Sequence, residues 1–93
     1  MTPEAKVKAN VVKVLKAHRV YYFFPATHGY GRSGVPDIVC CYKGAFIGVE
    51  CKAGKGKPTA LQLHEAEEIK AAGGAWLCIN EHNISELVDL LGE

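Results

Sequence analysis

The chain has little of what membrane, secreted and zinc-binding proteins need. None of its apolar runs approaches the roughly 20 residues of a membrane-spanning helix. Residues 1–4 lack the basic-then-apolar pattern of a secretory signal. No C-x-x-C pair is present, and Cys78 with His82 supplies at most half of a zinc site. These absences predict a cytoplasmic protein without a membrane span. Its cysteines should be buried, reduced thiols, at Cys40, Cys41, Cys51 and Cys78.

Acidic residues are scarce in the first 58 positions. Ten Lys and Arg residues face three acids there, which gives a net charge of +7, whereas residues 59–93 carry one Lys and seven acids and a net charge of −6. The three acids of the basic part are Glu4, Asp37 and Glu50. A positive region with so few carboxylates suits a polyanion such as nucleic acid. The alternative is that the lysines between residues 6 and 16 merely solvate an exposed helix face.

The length of 93 residues predicts one domain, residues 1–93, of the α/β class. Hydrophobic periodicity and turn residues predict the order α-β-β-β-α-β-α. The strands fall at 21–24, 37–42, 45–52 and 75–79. The helices run from a Thr2 cap to about residue 18, from Thr59 to Gly73-Gly74, and from an Asn83 cap to Gly92.

Two short acidic motifs stand on neighbouring apolar runs. The sequence VPD at 35–37 enters the first run, and ECK at 50–52 ends the second. Strand alternation places Glu50 and Lys52 on one face, roughly 6–7 Å apart. A hairpin at Lys43-Gly44 would bring Asp37 beside them. Two carboxylates and an ammonium at a strand end predict a site for a divalent metal and a phosphate.

Each of these residues also has a structural explanation. Asp37 alone fits an ordinary turn aspartate, and Glu50 with Lys52 fits the solvent-facing edge of a strand. Glu4 either points inward along the buried stripe of the first helix or complements the helix dipole. Gln62 follows Thr59 at capping-box spacing, so its side chain is expected to bond the backbone of the cap residue.

Two glycine-rich basic loops, residues 27–34 and 53–58, carry candidate nucleic-acid contacts. Arg32 is suited to bidentate phosphate binding and Tyr30 to stacking on a base, with Ser33 between Arg32 and the acidic motif. Lys55 and Lys57 are suited to contacts with the phosphate backbone. The alternative is that these are simply exposed polar residues of loops.

Pro36-Asp37, followed thirteen residues later by Glu50-x-Lys52, resembles the signature of the PD-(D/E)XK nuclease superfamily. The phrases GVPD at 34–37 and GVECK at 48–52, the basic loop after them, Thr59-x-x-Gln62 and the helix end AAGG at 71–74 resemble the VRR-NUC group, the virus-type replication-repair nucleases. The resemblance implies a restriction-endonuclease-like core, with a central mixed sheet flanked by helices, over almost the whole chain.

The resemblance also implies roles for individual residues. Asp37, Glu50 and the backbone carbonyl of Cys51 would hold Mg²⁺ or Mn²⁺, and Glu4 would touch the metal directly or through water. Lys52 would orient or activate the attacking water. Gln62 would then position that water or Lys52 in addition to capping its helix. The implied enzyme is a metal-dependent endodeoxyribonuclease.

Stand-alone members of the group resemble phage-type junction-resolving enzymes. This implies cleavage of branched DNA, such as Holliday junctions, in DNA repair within a bacterial or phage-infected cytoplasm. Because a four-way junction needs two symmetric cuts, a homodimer is expected. The alternatives are a flap, end-processing or nonspecific nuclease, an inactive nucleic-acid-binding module, and an α/β interaction protein whose acids are incidental.

Overall fold

A computed structural model describes residues 1–26 and 31–92. Within these residues the elements follow the predicted order and confirm the α/β class. Their bounds are α1 Pro3–Ala17, β1 Tyr21–Phe23, β2 Ile38–Tyr42, β3 Ala45–Cys51, α2 Ala60–Ala71, β4 Ala75–Ile79 and α3 Ile84–Leu90. None of the helices in the described ranges has the length and apolar content needed to cross a bilayer.

The strands of the described residues form one mixed sheet in the order β1-β2-β3-β4. The first three strands pair antiparallel, and β4 pairs parallel to β3 because α2 carries the chain back between them. The turn between β2 and β3 is the predicted one at Lys43-Gly44. Both residues have positive φ, 52° and 84°, as a type I′ hairpin requires.

The main core lies between one face of the sheet and helices α1 and α3. Alternate residues of β3, namely Ile47, Val49 and Cys51, are buried on this face. Their helical partners are Val7, Val11 and Leu15 of α1 and Leu87 and Leu91 at α3. Gly48 and Glu50 therefore point to the other face, where Gly48 meets Ile69 of α2.

The four cysteines are free thiols, but they are not all buried. Cys40 and Cys51 lie in the core and Cys78 is half-buried, whereas Cys41 is exposed. The prediction of burial is therefore wrong at Cys41. Strand alternation turns this residue away from the core, and Phe46, its partner on β3, is exposed as well, so α2 does not cover this part of the sheet.

Helix α3 begins at the predicted residue but without the predicted cap bond. Asn83 occupies the N-cap position, yet its side chain makes no capping hydrogen bond. Its Oδ1 accepts from the Asn80 N–H at 2.7 Å, and its Nδ2 donates to the Cys78 carbonyl at 2.9 Å. The side chain thus orders the turn between β4 and α3.

Candidate active site

The two acidic motifs meet across the β2–β3 pair. Ile38 is paired with Val49, so extending the register by one residue sets Asp37 opposite Glu50. Asp37 Oδ2 accepts the backbone N–H of Cys51 at 2.9 Å, which ties the first motif to the strand that carries the second. A charge-assisted bond of this kind stabilises by about 1.5–3 kcal/mol.

Glu50 is a buried carboxylate, only 1% exposed. Among the described residues, its Oε2 has no hydrogen-bond partner. Burial, and after it the contact with Asp37, raises the pKa of Glu50 to about 8, while the nearby Lys52 acts in the opposite direction. Near neutral pH, Glu50 therefore keeps a proton unless a cation takes its place.

Two glycines and a proline explain why the motifs come together. A Cβ on Gly34, whose φ is +79°, would lie 2.6 Å from the backbone carbon and oxygen of Leu61. A Cβ on Gly48 would lie 2.7 Å from Cγ of Pro36. The loop before Asp37 thus packs directly against α2 and β3, and this packing sets the carboxylate of Asp37 beside Glu50.

Glu4 reaches the same region from α1. A surface cavity of about 600 Å³ is lined by Glu4 and Asp37, together with Thr2, Pro3, Ala5, Lys8 and Ala53. The charge of Glu4 also raises the pKa of Glu50, although it is the weakest of the causes. Glu4 is exposed in the first turn of α1, so it lies near the acidic motifs and at the positive end of the helix dipole alike, and both interpretations of it stay open.

Lys52 follows directly after β3 and is half-buried. Its backbone N–H donates to the carbonyl of Ile79 at 3.0 Å, so the parallel pairing with β4 holds its position. Its ammonium lowers the pKa of Glu50, which places the charge within electrostatic reach of that carboxylate. Cys51, between them, faces the core, and burial raises its thiol pKa to about 12, so the thiol stays protonated.

Gln62 forms the predicted capping box with Thr59. Its Oε1 accepts from the Thr59 N–H at 2.9 Å, and its own N–H donates to Thr59 Oγ1 at 3.2 Å. The side-chain oxygen is therefore engaged, which leaves the amide NH₂ for any contact with water or with Lys52. The site role implied by the resemblance stays a prediction.

Within residues 1–26 and 31–92, no group of three or more His, Cys, Asp or Glu side chains could hold a metal ion. Among these residues Glu4, Asp37 and Glu50 therefore do not form a three-carboxylate cluster, and direct contact of Glu4 with a metal stays a prediction. Contact through water stays a prediction, as does the carbonyl of Cys51 as a ligand. The oxygens that fit a cation here are those of Asp37 and Glu50, since hard oxygen donors suit Mg²⁺ and Mn²⁺.

The structure pairs Arg32 with an acid that the sequence did not single out. Arg32 Nε donates to Glu65 Oε2 at 2.9 Å, and its terminal nitrogen lies 4.0 Å from Glu68. Glu65 is buried on α2, whereas the Arg32 side chain is 62% exposed. Its Nε is engaged, so only its terminal nitrogens are left for a phosphate. The only sign of this pair in the sequence is that Glu65 is an acid on α2, and its burial becomes visible only in the fold.

The remaining loop candidates are exposed. Ser33, Lys55 and Lys57 lie on the surface, and Tyr30 lies outside the described residues. The basic loop is held at its base, because both carboxylate oxygens of Glu81 accept the N–H of Gly54 at 3.0 Å.

No model of a known protein family matches the chain. It is 39% identical over 82 residues to "Putative nuclease p44" of Acyrthosiphon pisum secondary endosymbiont phage 1, an alignment that covers 87% of this chain and 85% of that protein. A solved structure described as a VRR_NUC domain matches with a TM-score of 0.77 over 96% of this chain and 97% of the other, at 22% identity.

The chain belongs to the same family as this phage nuclease, and it has the fold of a VRR_NUC domain. The structural match shows the fold, a mixed sheet flanked by helices, and the sequence match to the phage protein places the chain among nucleases. The relative and the fold together support a nuclease, which is a hydrolase. The β2–β3 pairing brings Asp37 and Glu50 together as the sequence predicted, and their catalytic role stays a prediction.

Proposed function

We propose that this VRR-NUC nuclease is a Mg²⁺- or Mn²⁺-dependent endodeoxyribonuclease that resolves four-way DNA junctions as a homodimer. One observation carries the proposal: the carboxylate oxygen of Glu50 is buried and unpartnered beside Asp37, and Asp37 lines an open cavity. Burying a carboxylate costs free energy unless a proton or a cation neutralises it. In a nuclease site such a carboxylate would serve as a ligand of a divalent cation.

The two carboxylates fit a divalent cation. Asp37 accepts the Cys51 N–H with one oxygen and contacts Glu50, whose Oε2 is unpartnered. Mg²⁺ is commonly bound by one or two carboxylates plus waters and substrate phosphate, so a large protein cage is not required. A cation on these oxygens would polarise the phosphodiester and offset the charge that builds up during hydrolysis.

The chain's own residues would complete the reaction. A water oxygen bonds to phosphorus while the bond from phosphorus to the leaving sugar oxygen breaks, and a proton passes from the water to that oxygen. Lys52 would orient the water and stabilise negative charge on the phosphoryl oxygens. Gln62, through its amide NH₂, would hold the water or Lys52, and Glu4 would accept a hydrogen bond from a water in the cavity.

DNA is the proposed substrate because the positive charge of the chain is concentrated in its first 58 residues. Residues 1–58 carry a net charge of +7, and the loop after Lys52 exposes Lys55 and Lys57 beside the site. Phosphate contacts from these lysines and from the terminal nitrogens of Arg32 would supply affinity that falls steeply with salt.

The homodimer follows from the geometry of a four-way junction, which needs two symmetric cuts, while one chain offers one site. Edge strand β1 presents Tyr21 and Phe23, 69% and 48% exposed, on the same face as exposed Cys41. Exposed aromatic residues on an edge strand favour an isologous contact between two copies. We further propose that residues 1–93 act as one nuclease domain in a bacterial or phage-infected cytoplasm, in keeping with the phage relative.

A substrate panel tests the function. Purified protein is incubated with a four-way junction, a flap, a single strand and a linear duplex, each with Mg²⁺, Mn²⁺ or a chelator. Metal-dependent cleavage of the junction into paired nicked products is expected, and the Asp37→Asn variant should be inactive on every substrate. Preferred cleavage of flaps or ends would instead identify a different structure-selective nuclease. Binding without cleavage would identify an inactive binding module.

A further inference from the structure

Lys8 differs from the other lysines of α1. Lys6, Lys13 and Lys16 are exposed, whereas Lys8 is half-buried and lines the cavity that also contains Glu4 and Asp37. Helical spacing puts Lys8 one turn after Glu4, on the same face of the helix. The explanation that the α1 lysines merely solvate an exposed face therefore does not apply to Lys8.

The ammonium of Lys8 is not neutralised by the acid expected to pair with it. A Glu followed four residues later by a Lys is a favourable helical ion pair. Yet among the described residues no carboxylate oxygen lies within 4.0 Å of Lys8 Nζ. Instead, Nζ lies 4.4 Å from the centroid of the Phe24 ring. A cation–π contact of this kind orients an ammonium while leaving its N–H donors free for an anion.

The residues that line the cavity determine which kind of anion Lys8 can bind. Its wall includes two carboxylates, Glu4 and Asp37, so a free small anion would be repelled. A phosphate within a nucleic acid can bind despite that repulsion, because the polymer is held at many other points. A cation bound to Asp37 and Glu50 would also turn the repulsion into attraction. Lys8 and Ala53 both line the cavity, and Ala53 begins the basic loop, so a DNA strand that enters the cavity would meet both α1 and residues 53–58.

We propose that Lys8 binds a phosphate of the DNA strand that is cut, with its ammonium held in the cavity by the ring of Phe24. This rests on the proposed nuclease function and assigns α1 to the substrate-binding surface. Lys8 contributes to ground-state binding, whereas Lys52 acts on the reacting phosphate from β3. Loss of the Lys8 charge should therefore raise KM and leave kcat within about twofold, as the loss of uniform binding requires.

Binding is measured in the Asp37→Asn background, so that no DNA is cut during the titration. Lys8→Met keeps the aliphatic stem and removes the charge, and Lys13→Met is the matched control on the exposed part of the same helix. Lys8→Met is expected to weaken binding of a duplex or junction about tenfold. It should also reduce the slope of log affinity against log salt concentration by about 0.9, the loss of one phosphate contact. Lys8→Arg should restore both values, and Phe24→Leu should weaken binding by a smaller factor.

The proposal is overturned if Lys8→Met and Lys13→Met have the same affinity and salt slope. It is equally overturned if Lys8→Met, without the Asp37 substitution, lowers kcat or Mn²⁺ affinity while KM is unchanged, because Lys8 would then only balance the charge of the acids. Failure of the nuclease function looks different: the protein without substitutions would cut none of the substrates with Mg²⁺ or Mn²⁺. Circular dichroism melting of each variant checks that the fold is kept.

Discussion

Asp37 Oδ2 and the backbone N–H of Cys51 are 2.9 Å apart, so the carboxylate of the first motif is hydrogen-bonded to the strand of the second, one residue beyond Glu50. This bond fixes Asp37 without any metal. The folded protein therefore presents Asp37 and Glu50 together in advance, and preorganisation of this kind lowers the cost of binding an ion or a substrate.

Asp37→Asn and Glu50→Gln are expected to remove Mg²⁺-dependent cleavage while preserving the fold. An asparagine oxygen still accepts the Cys51 N–H, and a glutamine keeps the volume of Glu50 without its charge. We expect a rate loss of at least about a thousandfold, or ~4 kcal/mol in the transition state. Single-turnover cleavage of a labelled junction measures it, with Glu86→Gln on α3 as the control. Wild-type rates in both variants would show that these acids are not the catalytic pair.

Lys52→Ala should lower the rate of the chemical step by about 10²–10³-fold, in the range found for groups that stabilise transition-state charge. Mn²⁺ affinity should be retained, because the proposed ligands are carboxylates. Calorimetric titration of Mn²⁺ and single-turnover kinetics separate the two effects. Lys55→Ala provides the comparison, since an exposed loop lysine should change DNA affinity and not the chemical step. Loss of Mn²⁺ binding in Lys52→Ala would contradict this division of roles.

The raised pKa of Glu50 makes the metal-free protein less stable as pH rises. Its value is about 8 in the fold against an ordinary 4.5, so between these values the folded state holds a proton that the unfolded chain has lost. The contribution of Glu50 to the free energy of unfolding should therefore be greatest below pH 4.5 and should decrease as the pH rises to about 8. Urea titrations in chelator across this range measure the decline.

Two matched variants test the origin of that decline. Glu50→Gln should flatten the pH dependence, whereas the control Glu86→Gln should leave it unchanged. Mn²⁺ should raise the melting temperature more at pH 8 than at pH 5.5, since the cation replaces the proton. A pH dependence of stability that is the same in Glu50→Gln as in the unsubstituted protein would assign it to other groups.

Alanine substitutions at Gly34 and Gly31 distinguish the cost of backbone strain from the cost of a steric clash. Both have φ near +80°, but only at Gly34 would a Cβ meet the backbone of Leu61, at 2.6 Å. Gly31→Ala should cost about 1–2 kcal/mol through the left-handed conformation alone. Gly34→Ala should cost more and should also slow cleavage, because the loop that carries Asp37 must shift. Urea denaturation and junction cleavage are the two measurements, and equal losses in both variants would remove the packing argument.

The dimer proposal predicts a two-fold contact at the aromatic edge strand. The double variant Tyr21→Ser, Phe23→Ser should shift the protein toward the monomer in light scattering and reduce paired cleavage of junctions. Phe46→Ser, another exposed aromatic on the same face, tests how far the contact extends from β1. A monomer for the unsubstituted protein at working concentration would contradict junction resolution while leaving nuclease activity possible.

Local rules were enough to predict the elements and the meeting of the acidic motifs. The Lys43-Gly44 turn fixes the antiparallel register, and with a period of two residues that register sets Asp37 opposite Glu50. The features that the sequence did not predict depend on tertiary contacts. Cys41 is exposed because α2 covers only part of the sheet face on which it lies. Arg32 is paired with Glu65, which is 33 residues away in the sequence. Asn83 spans the turn before α3 because acceptor and donor partners there compete with the cap.

The contact between Glu81 and Gly54 has a consequence for how the enzyme would meet its substrate. Since Gly54 is bonded to the segment after β4, the loop bearing Lys55 and Lys57 has a fixed base and only a few free backbone torsions beyond it. Much of the conformational entropy of that loop is already lost when the protein folds. An arriving polyanion would then restrict little more than two lysine side chains, which favours rapid capture over slow adaptation of the loop.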